Sequence, residues 1–404
     1  KVDRSFESGS YEKAEKMLSE NWSNGTYQRK DRVLYHLELG TVKHFAGKYQ
    51  ESFDAFNKAE ESIDQLFTKS ISRGIKSFVV NDNVLAYDGE DYEDIYLNVF
   101  KSLNFIHMDN LESALIEARR IAFKLEKLNI KYKGLVDALA KKDTTSVTKW
   151  EQGESSIENS ALGHFLAGVL YNKSGDMDDA NIEKERTKQA LQEQQNYYDY
   201  NFKIPDSLVN DIGKSNTFNV LVVAFGGQAP VKKQNDTRIY IPEHDFYLKL
   251  SLPKLKQRPS EVSSVKVSLN EDKTSPVYKI EEMDKVASEI YKVKKPIIYA
   301  RTVVRALTKA LGTQALSNKA EEESEALGKL VGFLGNAGQE ASEKADLRGW
   351  QTMPGDAYVT LLDVPAGTHD ISLEYHGKTS VLHEEKRTIE VSEDNDGMYL
   401  VEGI

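Results

Sequence analysis

The densest group of chemically versatile side chains lies between Asp346 and Pro354. A carboxylate, a guanidinium and an indole stand at alternate positions, as Asp346, Arg348 and Trp350. The guanidinium can pair with the carboxylate or stack on the indole. Two interpretations stay open: the trio locks a junction within the chain, or, if it is exposed, it forms a binding hot spot. All three residues are candidates for contact with a partner.

A glycine-rich turn after an apolar run presents a fourth candidate, Lys232. The run Val220 to Phe225 is followed by Gly226 and Gly227, with Lys232 shortly after them. A phosphate-binding P-loop needs a longer glycine-bracketed loop that ends in Lys and Ser or Thr at the start of a helix, whereas an extended segment follows here. The sequence therefore favours a turn at a strand end that presents Lys232 to a partner.

The potential metal ligands and nucleophiles predict neither a metal site nor a catalytic centre. Cys is absent, and the eight histidines include no pair at zinc-helix spacing. His369, His376 and His383 fall on neighbouring predicted strands, where histidines at a sheet edge are commoner than a metal site. We expect the acidic run from Asp88 to Asp94 to form a solvated first helical turn rather than to bind a cation or a basic partner. No cofactor is expected.

Length and charge limit the classes of function. A chain of 404 residues corresponds to two or three domains. Lys and Arg number 53 against 64 Asp and Glu, a formal charge of -11, so no overall field attracts nucleic acid. The longest apolar runs fall far short of the roughly 20 residues that span a bilayer. We expect a protein partner and no nucleic acid.

The first half carries a helical repeat. Between Val33 and Asp64, small and aromatic residues stand at five positions where a tetratricopeptide (TPR) repeat has them: Gly40, Gly47, Tyr49, Phe56 and Ala59. Weaker copies near Gly9, Asp109 and Gly168 predict about four helix pairs before residue 195. Stacked helix pairs form a solenoid with a concave face. We expect that face to bind a protein segment; the alternative is that the array only supports another domain.

The second half changes to the two-residue period of strands. Strands are predicted within residues 218–280 and 357–402, with a helical insertion at about 281–346. The expected fold is thus α+β and multidomain. A TPR-like α-solenoid over residues 1–215 precedes an α+β domain over residues 216–404 that contains a β-sheet or sandwich.

Three motifs carry a family resemblance. They are the Gly-x-x-Ala-Pro-x-Lys core that ends at Lys232, the alternating Asp346-x-Arg348-x-Trp350-x-Thr352-x-Pro354, and Pro365-Ala366-Gly367-Thr368-His369 before a strand. In these the chain resembles an uncharacterised family of bacterial TPR-containing envelope lipoproteins. The resemblance implies export, an acylated Cys upstream of Lys1, and membrane attachment at the periplasmic face.

The sequence therefore predicts a non-catalytic interaction or scaffold protein of the bacterial cell envelope. One alternative is an enzyme that processes envelope glycans or peptides in a cleft between the domains, with Asp346 or Glu282 as its acid. A second alternative is a small-ligand binding module that uses Trp350 and the aromatic cluster at Tyr197.

Overall fold

The structure is a computed structural model, and it describes residues 2–73, 83–142, 150–197, 204–241, 246–271, 273–310, 344–392 and 398–404. The helices that come first are α1 Val2–Glu7, α2 Tyr11–Ser23, α3 Arg32–Phe45, α4 Tyr49–Arg73, α5 Asp91–His107, α6 Leu111–Lys142, α7 Ala161–Lys173, α8 Met177–Tyr197 and α9 Asp206–Asp211. They are followed by β1 Val220–Gly226, β2 Gln228–Ile241, β3 Phe246–Arg258, β4 Ser264–Leu269, β5 Lys273–Glu281, α10 Met283–Ala310, β6 Asp356–Leu362, β7 Gly367–His376, β8 Val381–Val391 and β9 Tyr399–Gly403. The α+β content of the prediction is confirmed.

The first eight helices form four hairpins with one shared turn geometry. Each turn contains one left-handed residue, with φ between 54° and 83°: Gly9, Gly47, Asp109 and Gly175. In each turn the next amide donates to the carbonyl five residues back, as Lys48 does to Lys43 at 2.9 Å. These bonds close the helix end as in a Schellman motif. The four predicted helix pairs are therefore present.

Small residues let the two helices of a hairpin approach closely. A Cβ atom on Gly40 would lie 2.8 Å from the Phe56 ring, so α3 and α4 meet only because this position has no side chain. Ser52 Oγ donates to the Gly40 carbonyl at 2.8 Å. In the next hairpin Ser102 Oγ donates to the Ala114 carbonyl at 2.9 Å, the same spacing of twelve residues.

The strands of the described residues form one seven-stranded sheet and a separate two-stranded ribbon. The sheet order is β8-β7-β4-β5-β6-β1-β9, with β1 and β9 parallel and the other pairs antiparallel. The ribbon pairs β2 with β3, both longer than the predicted strands. Strand β8 runs without a break through Val381–Val391, within the predicted strand region 357–402.

The sheet curls over on itself. Side chains of β1 and β9 share an apolar cluster with those of β4 and β7, although several strands separate them in the sheet order. A Cβ atom on Gly403 in β9 would lie 2.7 Å from the hydroxyl of Tyr375 in β7. Of the two predicted forms, a β-sheet or a sandwich, these strands thus adopt one folded sheet.

Helix α10 supplies the described part of the predicted insertion, and residues 311–343 lie outside the described residues. Pro296 stands inside α10, where a proline removes a hydrogen bond to a carbonyl one turn back. The amide of Gly153 donates to the neighbouring Val293 carbonyl at 3.0 Å. A Cβ atom on Gly153 would lie 2.0 Å from the Lys292 carbonyl oxygen, so only glycine fits at this contact.

The inner face of the helical array packs against the sheet. Helices α3, α5 and α7, the first of their hairpins, share one hydrophobic core with β1, β5, β6 and α10. Helix α5 is buried along almost its whole length. The face that the sequence analysis expected to bind a protein segment is thus covered by the sheet and α10 of the same chain. Among the described helices, none combines the length and the apolar character needed to cross a membrane.

Candidate functional site

Trp350 lies in the inner face of the helical array. Its side chain is 2% exposed, and its ring meets Phe56 and Phe100 edge-on with centroids 5.7 and 5.8 Å away. The indole Nε1 donates to Thr41 Oγ1 at 2.9 Å and to Thr352 Oγ1 at 3.1 Å. An indole held in this way is closed to an external partner, so of the two open interpretations the structure favours the internal lock.

Two buried carboxylates of the helices hold the backbone around Trp350. Glu93 accepts from the Trp350 amide at 2.7 Å, and Glu38 accepts from the Gln351 amide at 2.6 Å and from the Thr352 hydroxyl at 2.7 Å. Burial raises the pKa of both carboxyls to about 7, and the hydrogen bonds offset only part of that effect.

Arg348 joins three parts of the chain. Its guanidinium pairs with Asp346 at 2.7 Å and with Asp31 at 2.9 Å, and it donates to the Leu85 carbonyl at 3.2 Å. The predicted pairing with Asp346 is confirmed, but the ring beneath the guanidinium is Tyr87, at 5.2 Å, rather than Trp350. Burial alone would raise the pKa of the Asp346 carboxyl; the Arg348 hydrogen bonds and the Lys232 charge bring it below its usual value.

Lys232 lies in β2 and is buried, not presented by the turn at Gly227. Its ammonium pairs with Glu90 at 2.6 Å and stands 5.1 Å from the Tyr87 ring centroid. Lys294 of α10 contacts the same carboxylate at 3.4 Å. The expectation that Lys232 is available at a strand end is corrected by this pairing, because its charge is already neutralised inside the protein.

The acidic run begins α5 as predicted, with Glu90 as the N-cap, but it is not solvated. Glu90, Asp91, Glu93 and Asp94 are at most 8% exposed. Lysines of other elements neutralise the run in pairs: Glu90 with Lys232, Asp91 with Lys131 and Asp94 with Lys124. The helix dipole favours acids at this end of α5. The paired lysines, which are far away in sequence, offset the cost of burying the carboxylates.

A small cavity of about 90 Å³ adjoins these residues. Helix α10 contributes Lys294, Arg301 and Arg305 to its wall, and the other charged residues of the lining are Lys232, Asp88, Glu90 and Asp346. That volume holds about three water molecules at the liquid density of roughly 30 Å³ each. The cavity therefore has room for water or a small ion, and none for a peptide or a sugar.

Two further buried carboxylates join the sheet to the helices, and the sequence analysis missed both. Glu281, at the end of β5, accepts from Tyr96 at 2.6 Å, from Ser160 at 2.8 Å and from the Leu162 amide at 3.1 Å. Burial raises the pKa of this carboxyl despite those donors. The sequence signal that could have indicated a buried acid was the position of Glu281 directly after the apolar strand residue Ile280.

Glu402 in β9 lies between two histidines of the helices. Its carboxylate contacts His44 Nε2 at 2.6 Å and His107 Nε2 at 3.0 Å. Burial would raise the pKa of Glu402, but the two imidazoles hold it well below its usual range. Asn104 fixes the other ring nitrogen of His44 at 2.8 Å. The arrangement fastens the last strand to α3 and α5.

The histidines of the sheet make separate contacts. His369 bonds to Asn270 and to the Pro365 carbonyl, and His376 contacts Glu374. Over the residues that the structure describes, no cluster of His, Asp and Glu could hold a metal ion. The aromatic cluster at Tyr197 lies outside the residues whose side chains are described.

All four predicted binding residues thus pack against the helical array, Lys232 from the ribbon and the other three from the segment before β6, and their polar groups bond within the chain. The class that the fold and this site define is an array of helical hairpins locked onto a curled sheet by buried acids. The chain matches no protein-family model, no curated protein and no solved structure.

Proposed function

We propose that the chain is a non-catalytic interaction or scaffold protein of the bacterial cell envelope. The observation that carries the proposal is an apolar stripe on the outer face of α6. Ile116, Phe123 and Ile130 are 49%, 57% and 64% exposed and stand seven residues apart. Seven residues make nearly two helical turns, so the three side chains lie along one line. The resemblance in sequence supports the envelope location.

The inner face of the array is covered by the sheet, which leaves the outer face for a partner. The exposed charges of α6 beside the stripe have both signs: Arg119, Arg120 and Lys133 against Glu112, Glu126 and Asp137. The partner that fits is an amphipathic helix with apolar residues at a seven-residue repeat.

Capture from bacterial envelope extracts tests the proposal. The baits are the intact chain, the double variant Phe123→Glu and Ile130→Glu, and the control Val381→Glu, at an apolar position on β8 that is about half exposed. We expect one protein that the intact chain and the control retain and that the double variant loses. Calorimetry with that protein, once purified, should give similar affinities for the intact chain and the control and a weaker affinity for the double variant. Failure to retain a partner, or equal retention by all three baits, would refute the proposal.

A second candidate function has its own observation. A cavity of about 210 Å³ beside the start of α10 is lined by Glu282, Asp284 and Asp356. Burial and the neighbouring acids Asp356 and Glu282 raise the pKa of Asp284 to about 7. A carboxyl with a raised pKa can act as the acid in hydrolysis of a glycan, and a second carboxylate nearby is the other group that the reaction needs. Release of reducing ends from envelope glycan, lost in Asp284→Asn, would establish an enzyme; no release favours the scaffold.

A further inference from the structure

The outer face of α6 carries an ordered row of charges beside its apolar stripe. The row consists of four exposed residues at the same seven-residue spacing, with alternating signs: Glu112, Arg119, Glu126 and Lys133. Each of them stands four residues before or three residues after a residue of the stripe, so this charge row runs along one side of it. A partner of the stripe therefore meets a line of apolar side chains and a parallel line of alternating charges.

The α6 helix of a second copy matches the apolar line when the two helices run antiparallel. Phe123 lies midway between Ile116 and Ile130, seven residues from each. When the helices meet at Phe123, Ile116 of each copy therefore lies opposite Ile130 of the other. The three apolar layers extend over about 21 Å, at a rise of about 1.5 Å per residue. A two-fold axis at Phe123 relates the copies, so both use the same surface.

The charge row matches itself in the same arrangement, because the two-fold axis brings the same side of each helix together. Glu126 is three residues after Phe123 and Arg119 is four residues before it, so they meet across the axis. Glu112 and Lys133 are eleven residues before and ten residues after Phe123, and they meet in the same way. The offset of one residue in each pair is about 1.5 Å, which long side chains bridge. Every charge of the row thus meets an opposite charge.

A parallel pair of helices lacks this match. It would bring the charge row of one copy against the opposite side of the other helix and place Arg119 beside Arg120. The attraction of Glu126 to Lys127 in that arrangement would only offset this repulsion. In the antiparallel pair Arg120 and Lys127 approach each other, but each is already paired within its own chain. Arg120 contacts Glu117 at 3.2 Å, and Lys127 contacts Glu126 at 3.1 Å.

We infer that the partner of the α6 stripe is a second copy of this chain, bound antiparallel through α6. The inference rests on the function proposed above, because it names the occupant of the same surface. The apolar layers supply the affinity, while exposed ion pairs mainly set the orientation. Three apolar side chains per copy make a small interface, so the dissociation constant should be on the order of 10 μM.

Sedimentation equilibrium of the purified whole chain tests the inference. We expect a monomer–dimer equilibrium for the chain and for the control Val381→Glu, and association at least about tenfold weaker for Phe123→Glu combined with Ile130→Glu, with equal melting temperatures. A monomer at every concentration, or equal association of the three proteins, would overturn the inference. If the chain stays monomeric and envelope extracts yield a different protein, the second copy is refuted and the proposed function stands. If the chain dimerises and extracts yield nothing, the reverse holds.

Charge reversal tests the match between the rows. Glu112→Arg with Glu126→Arg makes the row wholly basic, and Arg119→Glu with Lys133→Glu makes it wholly acidic. We expect each double variant alone to associate at least about fivefold more weakly than the parent, and an equimolar mixture of the two to regain the parent affinity. Equal association of the separate and the mixed variants would overturn the match.

The absence of Cys from the chain allows a direct test of the orientation. Ile116→Cys and Ile130→Cys are oxidised separately and as a mixture. We expect a disulfide only between the two different variants, because identical positions lie about 21 Å apart in the antiparallel pair, beyond the reach of a disulfide. Cross-linking of either variant alone to the same extent as the mixture would overturn the antiparallel orientation.

Discussion

The carboxyl of Glu38 should make the stability of the protein fall as the pH rises. Glu38 is 2% exposed and bonded to the Gln351 amide and the Thr352 hydroxyl, and its pKa in the folded state is about 7. In the unfolded chain the pKa is 4.5. Between these values the folded protein keeps a proton that the unfolded chain has lost. The free energy of unfolding therefore decreases with rising pH across this window.

The size of this effect follows from the pKa difference. Each unit corresponds to about 1.4 kcal/mol, so Glu38 alone removes roughly 3 kcal/mol between pH 4.5 and pH 7. Glu38→Gln keeps an acceptor for the Gln351 amide and cannot ionise. The variant should lose that share of the pH dependence and keep the share of Glu93, whose pKa is also raised to about 7.

Urea unfolding at pH 5 and pH 8 measures the effect. We expect the loss of unfolding free energy between the two values to be about 3 kcal/mol smaller in Glu38→Gln than in the parent protein. Glu20→Gln, at an exposed position of α2, should behave as the parent does. The reasoning about burial would be refuted if Glu38→Gln and the parent lost equal stability from pH 5 to pH 8.

Two further substitutions test the packing. Trp350→Ala removes a buried ring and its hydrogen bond to Thr41, so the free energy of unfolding should fall by about 3 to 5 kcal/mol in denaturant titration; a loss below about 1 kcal/mol would contradict the lock. Gly153→Ala places a Cβ atom against the Lys292 carbonyl and should lower the free energy of unfolding by about 2 to 3 kcal/mol. At Gly134 of α6 no atom lies within 4 Å of an added Cβ, so Gly134→Ala should raise the free energy of unfolding by about 0.5 to 1 kcal/mol. A higher melting temperature for Gly153→Ala than for Gly134→Ala would contradict both geometries.

The helical hairpins were predictable because their determinants are local. Gly47 supplies a left-handed turn, and Gly40 with Phe56 sets the distance between two helices that are neighbours in sequence. The strand β1 was predictable for the same reason, since a short apolar run ended by glycines needs no distant partner to be recognised. For Asp346, Arg348 and Trp350 the sequence left open whether the residues are exposed as a binding hot spot or buried as an internal lock.

The burial of the acidic run was not predictable from local pattern. Glu90 is neutralised by Lys232 and Lys294, which lie 142 and 204 residues away. Without those partners an acidic first turn belongs in water, which is what the sequence analysis expected. The same distance hid Glu402, because its histidines are recognisable as ligands of an acid only once β9 is placed beside α3 and α5.

The four buried carboxylates at the contact between helices and sheet act on specificity more than on net stability. Two belong to the helices, Glu38 and Glu93, and accept from the segment around Trp350; two belong to the sheet, Glu281 and Glu402, and accept from the helices. Desolvation cancels much of what such bonds contribute, so an apolar contact of equal area would hold the two parts about as tightly. A slip of the sheet by one residue, however, would leave all four carboxylates buried without donors, at about 1 to 3 kcal/mol or more each. Only one docking position satisfies every carboxylate, and it also fixes the outer α6 stripe relative to the sheet.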